Sequence, residues 1–268
     1  MLSPPRFNIL GVGVHALDYQ QATACIVDAA REKRPFAVTA LAVHGVMTGR
    51  DDPNQRTRLN RLDLITPDGQ PVRWALNWLH KTKLTDRVYG PFLTLRVCER
   101  AAAEGLSIFL YGSDSDTLAA LSDTLQQRCP GLRIAGARPS RFRPATEAEW
   151  AEDVAALRAS DADIIFCGLG CPRQETWVYE MRAHIDRPLV AVGAAFSFWS
   201  GRQPMAPEWM QCAGLEWLFR LSREPLRLWR RYLILNPRYL AGIIRQKLSP
   251  RAFESPTAPS EPPPLLWS

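Results

Sequence analysis

Short, wholly apolar runs alternate along this chain with longer stretches of helical periodicity, and this alternation restricts the fold more than any other feature. Phe36-Ala-Val-Thr-Ala-Leu41, Ser107-Ile-Phe-Leu-Tyr111, Asp163-Ile-Ile-Phe-Cys167 and Pro188-Leu-Val-Ala-Val192 are compact, rich in β-branched and aromatic residues, and lack polar alternation. A strand of that kind is buried on both faces. Between the runs lie amphipathic segments with helix signals. Asp18 precedes the Ala22, Ile26, Val27, Ala30 face, Thr146 and Glu149 make a capping box, and Gly105 is placed as a C-terminal cap. Strand–helix alternation without a repeat period predicts an α/β fold: a mostly parallel, Rossmann-like sheet with helices on both faces. Asn8 to His15 reads as a strand or hairpin with Gly11 and Gly13 at turns.

In such a sheet, ligands collect at the carboxyl ends of the strands. The sequence puts Thr39, Asp68, Gly112 and Gly170 there. Asp68 lies in Pro67-Asp-Gly69, between the run Arg61–Thr66 and a helical pattern through Val72, Ala75, Leu76 and Leu79. The bland reading is a turn residue; the functional one is a carboxylate aimed at a ligand. Gly168-Leu-Gly170-Cys-Pro172-Arg-Gln-Glu175 forms a strand–loop–helix unit whose glycines let a ligand approach backbone N–H groups, an anion-friendly arrangement. Asp114-Ser-Asp116 is read as a helix start and not as a metal site. The six cysteines show no CxxC or Cys/His spacing and are read as reduced core thiols.

The last fifth of the chain is different. Between Gly214 and Leu248 stand eight basic and two acidic residues, a net +6 that equals the charge of the whole chain. Arg220, Arg227 and Arg230 recur at i, i+7 and i+10 and fall within about a quarter of one helix face, while Leu226, Trp229 and Leu233 form an apolar stripe on another. Pro225 requires a first turn or a kink, and Ser222 is a cap for a helix starting there. A basic excess confined to one amphipathic segment points to an anionic partner there: a diphosphate, an anionic membrane surface or nucleic acid. Ser249 to Ser268 is proline-rich and expected to be disordered. The expected organisation is therefore a core over 1–213, a basic amphipathic appendage over 214–248 and a tail over 249–268. No apolar run reaches eighteen residues and the first residues carry no signal-peptide pattern, so the expected location is cytoplasmic.

Seven segments in order, Thr66-Pro-Asp-Gly69, Arg87-Val-Tyr-Gly90, Phe109-Leu-Tyr-Gly112, Gly168–Glu175, Val192-Gly-Ala-Ala-Phe196, Ala206-Pro-Glu-Trp209 and Glu216-Trp-Leu-Phe-Arg220, resemble the WecG/TagA/CpsF family of bacterial glycosyltransferases, family 26. The resemblance covers roughly Phe36 to Tyr232. It implies transfer of a sugar, with inversion, from a UDP-sugar to a polyprenyl-diphosphate-linked saccharide at the cytoplasmic membrane face, without a cofactor or metal. By the same resemblance, Asp68 matches the family's base and Thr39 its active-site threonine. Arg220, Arg227 and Arg230 match the appendage arginines that neutralise the donor diphosphate, and Gln174 matches the motif glutamine. Gly112, Gly168 and Gly170 are placed beside the nucleotide. Leu41 and Ser197 depart from the family's Asn and Asp, which leaves the donor sugar open, with a glucose-adding exopolysaccharide branch as one match.

Two other classes fit the sequence less well. A dinucleotide oxidoreductase lacks its G-x-G-x-x-G after the first strand. A basic peripheral membrane or nucleic-acid-binding protein without catalysis would explain the arginines alone, but Trp217, Trp229 and Leu233 among them suit a lipid interface better than nucleic acid.

Overall fold

A computed structural model describes residues 4–253. The chain begins with a hairpin, β1 (Arg6–Ile9) and β2 (Val12–His15), and continues through α1 (Tyr19–Arg31), β3 (Phe36–Leu41), α2 (Val43–Asp51), α3 (Pro53–Asn60), β4 (Leu64–Pro67), α4 (Gln70–His80) and α5 (Gly90–Glu104). Then come β5 (Ser107–Tyr111), α6 (Ser115–Arg128), β6 (Arg133–Arg138), α7 (Glu147–Ala159), β7 (Ile164–Cys167), α8 (Arg173–Met181), β8 (Pro188–Ala191), α9 (Ala195–Trp199) and α10 (Glu208–Cys212). The basic stretch follows as α11 (Glu216–Arg223), α12 (Pro225–Trp229), a π-helical segment (Arg230–Leu235) and α13 (Asn236–Leu248). A 3₁₀ turn, Pro250–Phe253, is the last described element. The rest of the proline-rich tail lies outside the described residues.

Six strands form one parallel sheet in the order β4-β3-β8-β7-β5-β6, and the β1–β2 hairpin stands apart from it. Period-two alternation divides each central strand between two cores. Ala37, Leu41, Ile165, Cys167, Leu189 and Ala191 face a cluster that includes Met47, Val72 and Trp177. Phe36, Val38, Ile164, Phe166 and Val190 face a second cluster with Ile26, Val97 and Leu121. Burying each such aliphatic side chain contributes about 1.5–3 kcal/mol, so strands apolar on both faces are driven to the middle of a three-layer stack. The expected doubly covered parallel sheet is what forms.

The caps behave as their sequence signals predict. Asp18 and Thr146 close capping boxes, Asp114 accepts from the Thr117 backbone as the N-cap of α6, and Gly105 ends α5 in the left-handed region. Some details differ. Gly11, with φ +92°, makes the hairpin turn, whereas Gly13 lies inside β2, where Arg6 packs against its bare face. Cys212 is exposed and not a core thiol. Ser222 stays inside α11 with its hydroxyl on the Phe219 carbonyl, and the next helix starts at Pro225 without a side-chain cap.

The single-helix arginine face is also corrected, because Glu224 leaves helical geometry and Pro225 begins a new element, so the three arginines ride on three successive segments. Beyond them, α13 is fastened to the core. The Tyr239 side chain is buried with its hydroxyl on Pro71, and the Gln246 amide bonds both Leu10 N and Asn8 O. The chain from α11 to the π-helical segment thus bridges from Glu216, locked to the sheet edge, to Tyr239, locked to α4.

Candidate active site

The carboxyl ends of the sheet strands open into a cavity of about 830 Å³, partly roofed by the bridging segment. Its floor is set by Asp68. Pro67 ends β4, the Asp68 N–H donates to Leu41 O at 3.2 Å, and Asp68 Oδ1 accepts the Gly90 N–H at 2.6 Å. Gly90 has to be glycine, since an added Cβ would stand 2.7 Å from Val192 O. Withdrawal from water pushes the Asp68 carboxyl up to about 6. Arg87, the Gly90 N–H and Arg220 pull it down, and Glu216 pushes it up further. A carboxyl tuned there is charged near neutral pH yet basic enough to take a proton.

Around Asp68 lies a buried charge network. Arg87 pairs with Glu216 at 2.7 Å, donates to Gln211 Oε1 at 3.1 Å and lies 4.0 Å over the Tyr89 ring. The Tyr89 hydroxyl donates to the other Glu216 oxygen at 2.7 Å. A buried ion pair is a weak source of stability but an effective source of position, because moving one partner strands the other. Here it fastens the first turn of α11 to the floor.

The next wall is the glycine loop. A Cβ on Gly168 would meet the Phe196 ring at 2.5 Å, and Gly170 takes φ +81°. Gln174 is buried, accepting from Gly193 N at 3.0 Å and donating to Glu175 Oε1 at 2.8 Å. The Thr39 hydroxyl donates to the same Glu175 oxygen at 3.0 Å. Burial pushes the Glu175 carboxyl up, while Gln174, Thr39 and the Cys171 thiol hold it down.

Asp68, Gln174, Gly168, Gly170, Arg220, Arg227 and Arg230 all line the cavity. Thr39 and Gly112 stand one layer behind. Thr39 is fully buried and reaches the site through Glu175, and Gly112, at φ +111°, backs onto the Gly168 carbonyl, where a Cβ would be 3.0 Å away. On the roof, Arg220 stacks 5.7 Å from the Phe198 ring, Arg227 pairs with Glu224 and Arg230 lies 5.3 Å from the Trp229 ring. Nothing in the sequence by itself assigns a role to Arg87, Tyr89, Glu216 or Glu175. Their signal was present in the Arg87-Val-Tyr-Gly90 and Glu216–Arg220 segments, but nothing in either segment says that the two meet.

The arrangement offers one tuned carboxylate beside a group of guanidiniums that can take up negative charge on a departing group. Among the described residues no helix is long and apolar enough to cross a membrane. The appendage nevertheless exposes Leu226 (91%), Leu233 (57%), Leu240 (55%) and Leu248 (78%).

Known proteins are similar to this chain in sequence. The N-acetylglucosaminyldiphosphoundecaprenol N-acetyl-β-D-mannosaminyltransferase of Bacillus spizizenii (strain ATCC 23059 / NRRL B-14472 / W23) is 30% identical over 219 residues, 81% of this chain and 81% of that protein. The Glycosyl transferase WecG/TagA/CpsF family matches residues 7–253, the whole of the sheet, the cavity and the bridge. This chain belongs to the WecG/TagA/CpsF family of glycosyl transferases.

Proposed function

We propose that this glycosyl transferase moves a sugar from a UDP-sugar to a saccharide carried on a polyprenyl diphosphate, with inversion, in the synthesis of a cell-surface or exported polysaccharide. The observation that carries this reading is Asp68: a carboxyl raised to about 6, held by Gly90 and facing the same cavity as three appendage arginines. The acceptor hydroxyl gives its proton to Asp68 while its oxygen attacks the anomeric carbon from the side opposite the nucleotide. The bond from that carbon to the diphosphate oxygen breaks, and the electron pair leaves with UDP. Arg220, Arg227 and Arg230 neutralise the charge that develops.

The relative's name supports a polyprenyl-diphosphate-linked N-acetylglucosamine as acceptor class. The donor sugar is a separate matter. Leu41 and Ser197, the two positions where the sequence departs from the family's Asn and Asp, both line the cavity, which favours a donor other than the relative's. The basic appendage, with its leucines outward, rests peripherally on the anionic cytoplasmic face of the membrane, where the acceptor's lipid lies.

The test is UDP release from a panel of UDP-linked glucose, N-acetylglucosamine, N-acetylmannosamine and galactose, with and without a lipid-diphosphate saccharide. One donor should be consumed only when acceptor is present, with the new linkage of opposite anomeric configuration by NMR. Retention of configuration, or release from no donor, would reject the reading.

A further inference from the structure

The proposed chemistry uses one end of the cavity and leaves the other without a task. Asp68 follows β4 at one edge of the sheet, in one charged group with Arg87, Glu216 and Arg220. Ser140 and Phe142 follow β6 at the opposite edge, and they line the same cavity. Five strand spacings separate β4 from β6, about 24 Å at the ~4.8 Å repeat. A donor with its sugar at Asp68 and its diphosphate under the arginines must send its nucleoside toward the β6 side.

The sheet order agrees. From β5 the chain crosses outward to β6, and from β7 it crosses back to β8, so the direction of winding reverses between β5 and β7. Open α/β sheets bind ligands at that reversal. Here it is marked by Gly112 packed on Gly168, and the loop of Ser140 is bonded to it through Ser140 N and Ser113 O at 2.8 Å.

Phe142 stands at this end in a way that packing does not account for. It is 63% exposed and its φ is +55°, a region that bulky L-residues rarely enter. The loop is nonetheless pinned: the Phe142 N–H donates to Ser140 Oγ at 3.1 Å, Arg141 pairs with buried Asp153 at 2.7 Å, and Arg143 pairs with Glu149 at 2.6 Å. A large aromatic ring is therefore held out over the cavity in an uncommon backbone conformation by ion pairs on both sides. The appendage's own rings, Trp217 and Tyr232, lean on each other with centroids 6.0 Å apart.

We propose that Phe142 is the platform on which the base of the nucleotide donor stacks. The inference rests on the UDP-sugar reading above and adds the residue that holds the end of the donor farthest from the chemistry. Stacking on an aromatic ring uses the π-face of the base, so Phe142 contributes to donor affinity and takes no part in bond breaking.

The experiment titrates the full chain with UDP and, separately, with inorganic pyrophosphate, by calorimetry, for wild type, Phe142→Ala and Phe142→Tyr. Phe142→Ala should bind UDP about tenfold more weakly, Phe142→Tyr should restore binding, and pyrophosphate, which has no base, should bind all three alike. In turnover, the donor KM should rise about tenfold in Phe142→Ala while kcat and the acceptor KM stay constant. Equal UDP affinity in wild type and Phe142→Ala, or a rise confined to the acceptor KM, overturns the platform alone. A wild-type chain that binds pyrophosphate but gains nothing from the base of UDP also overturns it. Failure of wild type to bind UDP at all would remove the donor reading and the platform with it.

Discussion

On the floor of the cavity Arg87 is 7% exposed and tied to Glu216, Gln211 and the face of Tyr89; on the roof Arg227 and Arg230 stand exposed, the first paired with a glutamate three residues away. Both regions carry guanidiniums to one cavity, but the floor pairs its charges with one another in buried contacts, whereas the roof arginines stand exposed and, in the proposed mechanism, meet the donor. A buried pair fixes geometry because either partner alone would be left uncompensated, by several kcal/mol. An exposed pair such as Glu224–Arg227 contributes about 0–1 kcal/mol and gives way readily. Floor residues should therefore affect stability, chemistry or both, and roof residues chemistry alone.

The sharpest break of this contrast is Asp68→Asn. The amide cannot accept the acceptor proton, so kcat should fall about 10³-fold while UDP binding persists. Steady-state turnover and UDP titration of the same preparation check it, and full activity would remove Asp68 from its role. On the roof, Arg227→Ala with Arg230→Ala should lower kcat about 10²-fold with thermal unfolding unchanged, because both side chains are exposed. An equal loss of Tm would show that the roof is as structural as the floor.

Thr39→Val separates position from chemistry. Removing the hydroxyl takes one donor from buried Glu175, which costs about 1–3 kcal/mol, or roughly 2–5 °C in Tm for a chain of this size. The drop in kcat should stay under about tenfold. A large loss of kcat with Tm unchanged would move Thr39 from the layer behind the wall into contact with substrate. Smallest in its effect on turnover is Leu226→Glu with Leu233→Glu. Flotation with anionic vesicles should weaken about tenfold. Transfer to a short-chain acceptor in solution should be unchanged, and unaltered flotation would detach these leucines from the membrane.

The sequence made the floor's location legible and its wiring illegible. Asp68 could be placed because an apolar strand running into Pro-Asp-Gly must leave that carboxylate at the sheet edge. Thr39 could be placed on β3, but all six residues of that strand are buried, so no alternation says which face its hydroxyl takes; it turns to α8 and not to the cavity. Arg87 and Glu216 lie far apart in sequence, and their pairing is a product of topology alone. The roof was legible as composition but not as geometry. The charge excess is plain in the sequence and Pro225 marks a helix start, but a helical wheel holds only across a continuous helix, and Glu224 leaves helical geometry before Pro225.

The central claim is that Asp68 acts as a base whose proton affinity the floor network sets, and the pH dependence of kcat/KM tests it most directly. The folded carboxyl lies above its ordinary 3.8 at about 6, and in the proposed mechanism the charged form is the active one. Activity should therefore be level above about pH 7 and fall close to tenfold per pH unit below about 6. Glu216→Gln removes the negative neighbour that raises Asp68 and frees Arg87 to lower it, so the acid limb should move to lower pH. A profile flat through about pH 5–8 in wild type, or a limb that stays in place or moves upward in Glu216→Gln, would contradict the account.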